Sequence, residues 1–419
     1  MGQGGLTNVQ HLNIVLASLG GLIFILGLLS SPIDRSWLSP PLLAFILGVM
    51  LGPEGFAWLA PSSWGNPELL LEETARLTLG ISLMGIALRL PPKYPVRQWK
   101  ALVILLGIGM PAMWLISGLL SFWVMPLPLL VALLVGASVC ATDPVIASSI
   151  VTGGVAKKNL PGGFRHLLSS ESGANDGLAY PLVFLPILLL STTTGNVWGE
   201  WVLKVWLWEV GGSIVIGALL GWLSGRALKW AEARQYVDQP SFLSVTLSLT
   251  ILVLGVGKLF GTDSILAVFA AGLFFDQVVG GKERSEENNV QEAVNMFFTI
   301  PVFVLFGLIA PWAEWLALGW PGLALITLIL LLRRLPVILL LRPMLEPVRE
   351  WRIALMMGWF GPIGVSALFY AALSSRHTGN HDIWIVSSLV VFASIIMHGV
   401  TAAPLAKRYG RIADSGHDY

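Results

Sequence analysis

The sequence predicts an all-α polytopic membrane protein, with about thirteen transmembrane helices in two inverted six-helix repeats. Three observations point there. Hydrophobic residues make up 55% of the 419 and charged residues only 12%, about half the charge content of an ordinary soluble domain. Apolar stretches of about 20 residues, the length that crosses a bilayer, recur along the chain. Two of them are interrupted by Pro and Gly at corresponding places of opposite-running halves. The 25 basic and 24 acidic residues give a net charge of +1. That balance excludes a basic nucleic-acid-binding face and an acidic or disordered tail protein, and the composition excludes a soluble enzyme. A single cysteine, Cys140, excludes a disulfide framework and a Cys-based metal site.

In chain order the apolar cores fall at 12–30, 37–53, 69–89, 101–122, 127–151, 167–190, 201–223, 241–260, 264–280, 293–310, 318–341, 353–374 and 383–405. Segment 1 does not read as a cleaved signal: Met1–His11 carries no Lys or Arg, and no small-residue cleavage site follows. No soluble domain is expected at either end, and the mixed-charge loop Gly280–Gln291 reads as solvated. Placing the N-terminus outside puts Arg35, Arg89, Lys93, Arg97, Lys100, Lys157, Lys158, Arg165, Arg226, Lys229, Arg234, Lys282, Arg284, Arg342, Arg349, Arg352, Lys407, Arg408 and Arg411 inside. Only Lys258 and Arg376 fall in outer loops. This asymmetry obeys the positive-inside rule and predicts a cytoplasmic C-terminus in a cell membrane, of the prokaryotic inner-membrane kind. Trp37, Trp58, Trp99, Trp123, Trp201, Trp312 and Trp351 cluster near segment ends, as an interfacial belt does.

The remaining charges lie where a bilayer should exclude them, so each is a functional candidate. Arg76 follows Glu72 by four residues and Glu73 by three, the spacing of a structural helix pair. Lys204 and Glu209 can snorkel outward or pair structurally. Asp263, in Gly261-Thr262-Asp263-Ser264, is explained as a helix N-cap.

Asp143 and Asp176 resist such readings. Asp143 stands eight residues before the inner end of segment 5, and Asp176 nine residues into segment 6. At 1.5 Å per residue both reach ~12–14 Å from the inner side, near the midplane on adjacent helices. Asp143 lies in Ala141-Thr142-Asp143-Pro144. Pro144 removes the partner of the Cys140 carbonyl and opens the helix, which a membrane tolerates only in protein or beside a cavity. Freed carbonyls, the Thr142 hydroxyl and carboxylates are hard oxygen ligands suited to an alkali cation. In Glu171-Ser172-Gly173-Ala174-Asn175-Asp176-Gly177, Ser172 and Asp176, and Glu171 and Asn175, are four residues apart and share a helix face. Gly173 and Gly177 admit a close neighbour.

The second break is Gly358-Trp359-Phe360-Gly361-Pro362-Ile363-Gly364 in segment 12. Gly361 and Pro362 interrupt an outward-running segment as Pro144 interrupts an inward-running one, the pattern of an inverted-repeat transporter with segments 1–6 and 8–13 as halves. Arg333 and Arg334 lie about eight residues from the inner end of segment 11. One of them is expected to form a structural ion pair with Glu171, since an unpaired buried charge is costly. His398 is read as a hydrogen-bonded structural histidine, with titration near neutral pH as its alternative.

At Ala141–Pro144 and Glu171–Gly177 the sequence resembles the NhaP/NHE type of monovalent cation/proton antiporters, which pair a Thr-Asp-Pro break with a Glu-Ser-x-x-Asn-Asp stretch on the next helix. Ala267–Gly272 and His398-Gly399-Val400-Thr401 resemble the same family, and the resemblance covers essentially the whole chain. Gly358–Tyr370 resembles fungal plasma-membrane relatives more than many bacterial ones, which often carry Arg where this chain has Ile363. The resemblance implies an NhaA-like fold with crossed discontinuous helices and a homodimer. It implies one exchanger domain over 1–419, with 1–122 and 201–310 as scaffold and dimer helices (101–122 with the core), and 127–190 and 318–405 as core transport helices. It implies that Asp176 binds the cation or the proton, with Asp143, Thr142, Ser172 and Asn175 around it. Asn175 stands where electrogenic relatives have a second Asp, which implies electroneutral one-for-one exchange.

Elementary physics leads the same way. Burial and a like-charged neighbour favour the neutral form of a carboxylate, and a bound cation favours the ionised form. Cation and proton then compete for one site, and competition plus alternating access gives antiport. The expected partners are Na⁺ or Li⁺, with K⁺ as the alternative, H⁺ and the lipid bilayer, with no nucleic acid, no cofactor and no enzymatic role. A channel would want a continuous polar lining, whereas the polar groups here stop near the midplane. An intramembrane hydrolase would rest on Ser172 and His398 alone, without a Gly-x-Ser-x-Gly elbow.

Overall fold

The structure is a computed structural model that describes residues 8–29, 33, 39–143, 146, 154–191, 195–236, 242–280 and 284–415. Arg35, Trp37, Pro144 and Lys282 of the sequence reading lie outside them. All regular structure among the described residues is helical. In chain order the helices are α1 (Asn8–Leu28), α2 (Pro40–Leu51), α3 (Pro67–Arg89), α4 (Trp99–Val124), α5 (Leu129–Ser138), α6 (Gly154–Asn159), α7 (Gly162–Ser191) and α8 (Val197–Ala233). Then follow α9 (Phe242–Leu259), α10 (Ser264–Val279), α11 (Arg284–Leu308), α12 (Trp312–Leu332), α13 (Leu335–Leu341), α14 (Trp351–Trp359), α15 (Val365–Thr378) and α16 (Asp382–Ser415). Seven helical stretches among the described residues are long and apolar enough to cross a membrane, α12 and α13 counting as one with the turn that follows them. Four more are apolar but shorter.

Each apolar stretch expected from the sequence contains helix among the described residues, and four differ in detail. Segment 5 is helical only over α5 and runs without helix from there to Asp143, and most of its remainder lies outside the described residues. Segment 11 is two helices, because α12 stops at Leu332 and α13 starts at Leu335. Pro336 has no N–H for the Leu332 carbonyl, and the two arginines fall in the interruption. Segment 12 is α14 and α15 around a non-helical stretch. Segment 10 begins earlier than expected: helix starts at Arg284, within the stretch read as a solvated loop. Its polar first turns, Ser285-Glu286-Glu287-Asn288-Asn289, carry no apolar signal, so a hydropathy reading sees only the later part.

Small residues set the packing. On α8, Gly217 and Gly221 face the carbonyls of Ala267 and Ala271 on α10, so closely that a Cβ at either would overlap the carbonyl oxygen. Gly48 of α2 and Gly307 of α11 meet in the same way. The main apolar core runs through α2–α7 and α11–α16, and a smaller one joins α3, α8, α9 and α10 around Met84, Val253, Ala267 and Phe275. Trp58, Trp99, Trp123 and Trp351 are exposed, as an interfacial belt requires.

Candidate functional site

The site forms where two helices stop. Helix α5 ends at Ser138, and the chain continues without helix through Ala141, Thr142 and Asp143. Helix α14 ends at Trp359, and Phe360 leaves helical geometry at φ −83°, ψ 72°. Helical structure resumes at Val365. The two open stretches touch: the Asp143 amide donates to the Pro362 carbonyl at 2.8 Å. Gly361 and Pro362 thus lie in a break as expected.

Helix ends carry partial charges, and buried side chains of opposite sign meet them here. The Arg333 guanidinium donates to the carbonyls of Val139, Cys140 (3.3 Å) and Ala141 (3.1 Å) beyond α5, and to that of Gly361 beyond α14. The Asp143 carboxylate accepts from Val365 N–H, at the start of α15, and from Ile146 N–H at 3.3 Å. Glycine is required on both sides: a Cβ on Gly364 would overlap the Asp143 carboxylate, and one on Gly361 the Arg334 side chain.

Arg334 is the partner of Glu171. Its Nη1 and Nη2 donate to Oε1 and Oε2 at 2.6 and 2.7 Å, and its Nε to the Met357 carbonyl at 2.9 Å. Both residues are buried, so the pair holds α7 against the interruption between α12 and α13 in a low-dielectric setting. Beside it a neutral network ties α7 to the first break. The Asn175 Nδ2 donates to Thr142 Oγ1 at 2.8 Å, Thr142 N–H to Asn175 Oδ1 at 3.3 Å, and the Thr142 and Ser172 hydroxyls meet at 3.0 Å.

Asp176 differs from all of these. It is fully buried, and neither carboxylate oxygen has a hydrogen-bond partner among the described residues. The hydroxyl of Ser366, in the first turn of α15, faces it and is also buried and unpartnered. Four residues on, the Tyr370 hydroxyl donates to the Asp176 main-chain carbonyl at 2.6 Å. Gly173 and Gly177 let Phe269 and Leu266 of α10 lie directly against α7. The structure therefore gathers Thr142, Asp143, Glu171, Ser172, Asn175, Asp176, Arg333, Arg334, Gly361 and Pro362 at one place. Sequence reasoning missed Ser366, Tyr370 and the carbonyl-binding of Arg333. Ser366 and Tyr370 lie four apart just beyond the Gly-Pro break, and that spacing was the available signal.

Several of the other out-of-place groups have structural partners, while the Oε2 of Glu209 is buried without one among the described residues. Arg76 binds Glu73 at 2.6 Å, Lys204 lies 3.5 Å from Glu200, and the Asp263 Oδ1 caps α10. Glu72 pairs with the distant Arg376 at 2.8 Å. His398 contacts Ser394 and the Trp359 carbonyl, each at 3.0 Å, while Ser172 bonds Thr142. Ser172 and His398 are not partners, so the arrangement a hydrolase needs is missing among the described residues.

The family model described as "sodium/hydrogen exchanger, transmembrane" matches residues 15–408. The chain belongs to the sodium/hydrogen exchanger family. Among its curated relatives, the Na(+)/H(+) antiporter 2 of Zygosaccharomyces rouxii is 33% identical over 375 residues, 82% of this chain and 46% of that protein. The K(+)/H(+) antiporter NhaP2 of Shewanella sp. (strain MR-4) is 27% identical over 345 residues, 80% of this chain and 57% of that one. The chain thus spans about half the length of these relatives. The sodium proton antiporter MjNhaP1 from Methanocaldococcus jannaschii, solved at pH 8, superposes with a TM-score of 0.73 at 21% identity, covering 96% of this chain and 98% of that one. That likeness is one of fold.

Proposed function

We propose that the protein exchanges a monovalent cation, Na⁺ or Li⁺, for H⁺ across a cell membrane. The observation that carries this reading is Asp176: a buried carboxylate whose two oxygens have no hydrogen-bond partner among the described residues, beside the open stretches beyond α5 and α14. An ionised carboxylate in that setting is costly unless a proton or a cation joins it. The two therefore compete, and exposing the site alternately to each side produces exchange.

Asp176 is the central ligand in this reading, with the Ser366 hydroxyl beside it. Thr142, Ser172 and Asn175 complete the oxygen-rich wall, and Asp143 adds negative charge from its place at the start of α15. Asn175 brings no second ionisable carboxylate next to Asp176, which favours electroneutral one-for-one exchange. Helices within 127–190 and 318–405 form the moving core, and those within 1–122 and 201–310 the scaffold of a homodimer, with 101–122 moving with the core. The two breaks belong to inverted repeats, and the distribution of Lys and Arg favours an outer N-terminus and a cytoplasmic C-terminus in a prokaryotic inner membrane. K⁺/H⁺ exchange at the same site is the second reading, favoured by the likeness to a relative named a K⁺/H⁺ antiporter.

The test is reconstitution into liposomes with an imposed pH gradient, followed as Na⁺, Li⁺ or K⁺ is added. Na⁺ and Li⁺ should dissipate the gradient, and Asp176→Ala should be silent with every cation. An Asp176→Ala protein exchanging at the wild-type rate would falsify the assignment. With valinomycin and K⁺ clamping the voltage, the Na⁺-driven rate should stay unchanged; a strong rise contradicts one-for-one stoichiometry.

A further inference from the structure

A second group of buried acids lies outside this site. Glu209 of α8 and Asp263, which precedes α10, are held together through their backbones, the Asp263 amide donating to the Glu209 carbonyl at 2.9 Å. Asp263 spends Oδ1 on the N–H groups of Ile265 and Leu266, at 3.0 and 3.4 Å. Its Oδ2 is buried without a hydrogen-bond partner among the described residues, as is the Oε2 of Glu209. The residues are 3% and 6% exposed. Neither forms an ion pair among the described residues, since Lys204 turns to Glu200. Asp263 serves as a cap, but a cap needs one oxygen and could be Ser or Asn. The second oxygen of Asp263 and the Oε2 of Glu209 are not used by any cap or ion pair among the described residues.

Their position joins them to the cation site. The free oxygen of Asp263 points at Gly177, the residue after Asp176, so closely that a Cβ there would stand 3.1 Å from it. The Tyr370 hydroxyl, bonded to the Asp176 carbonyl, lies in the fields of both aspartates. Tyr180, one helical turn beyond Asp176, lies beside Glu209 and Asp263. A line of polar groups thus runs from Asp176 through Tyr370, Asp263 and Tyr180 to Glu209, then to Lys204 and Glu200 at the exposed side of α8. The charged and titratable groups facing Asp263 are Glu209 from α8, Lys258 from α9, Tyr180 from α7 and Tyr370 from α15. Those facing Glu209 are Tyr180, Asp263, Lys204 and Glu200.

We propose that Asp263 and Glu209 form a proton-holding station that supplies and receives the protons exchanged at Asp176. A buried carboxyl with no basic partner is stable when it carries a proton, and two such groups in series give that proton places to rest. In the exchange direction that loads Asp176, each carboxyl releases its proton toward the site and regains one from the α8 side. Cation binding stays with Asp176. The inference rests on the exchange reading above.

The variant Asp263→Asn keeps an acceptor for the α10 cap but cannot ionise, and Glu209→Gln is equally conservative. In proteoliposomes at saturating Na⁺, the double variant should lose roughly tenfold in rate at the alkaline end of the pH profile, where protons are scarce. That is less than the ~100-fold or more that a positioned proton donor contributes to a chemical step. Its KM for Na⁺ at acidic pH should match the wild type. A double variant with the wild-type rate and pH profile overturns this inference alone. A loss equal at every pH, together with a lowered Tm, also overturns it in favour of a structural role. An inert wild type overturns the exchange reading and this inference together.

Discussion

The crossing, where the open stretches beyond α5 and α14 touch, and the α8–α10 pair are both tightly packed, by opposite means. At α8–α10 glycines bring two helices into backbone contact. At the crossing the ladders are interrupted, and buried charges from other elements serve the freed groups: Arg333 the carbonyls, Asp143 the amides, and Arg334 with Glu171 the join to α7. The first arrangement has one good geometry, set by backbone contact at Gly217 and Gly221 rather than by charge. The second keeps its polar groups in the low-dielectric interior by pairing most of them, and so leaves the Asp176 carboxylate, which has no hydrogen-bond partner among the described residues, sensitive to what binds it.

The contrast can be broken in three ways, from the largest expected loss of stability to the smallest. Arg334→Ala leaves Glu171 charged and unpaired in the interior, and thermal unfolding of the purified protein should show a loss of about 3–5 kcal/mol. A variant with unchanged Tm would mean that the ion pair does not hold the crossing. Gly221→Val drives a branched side chain into the Ala271 carbonyl; overpacking of that kind should cost ~1–3 kcal/mol. Should it prove neutral, α8 and α10 are free to separate, and the rigid half of the contrast is lost. Asp176→Asn removes a charge that has no protein partner, so Tm should hold or rise while exchange disappears. A marked fall in Tm would show Asp176 to be one more structural link.

The sequence exposed the crossing far better than the α8–α10 pair, and for a physical reason. A charge in an apolar segment is conspicuous, so Asp143, Glu171, Asp176 and the two arginines stood out and are found together. Thr142, Ser172 and Asn175 were legible through their spacing from those charges. Neutral residues without such a neighbour were not: Ser366 and Tyr370 read as ordinary helix, although they bring α15 to Asp176. Partners far apart in the chain were equally hidden. Glu72 and Arg376 are 304 positions apart, and the pairing was invisible beside the local Glu73–Arg76 alternative. The split of segment 11 was available in Pro336 but masked by the apolar run around it. Nothing in composition distinguishes Arg333 from Arg334; only the fold assigns one to carbonyls and the other to Glu171.

Arg333 binds carbonyls on both sides of the crossing with a single planar group. A guanidinium is stiff and its N–H bonds are fixed in direction, so it works as a rivet. Pulling the end of α5 away from the end of α14 would strip bonds from both at once. If the protein works by the exchange proposed above, the motion that carries the cation takes the two ends along as one rigid piece, with the hinges elsewhere in the chain.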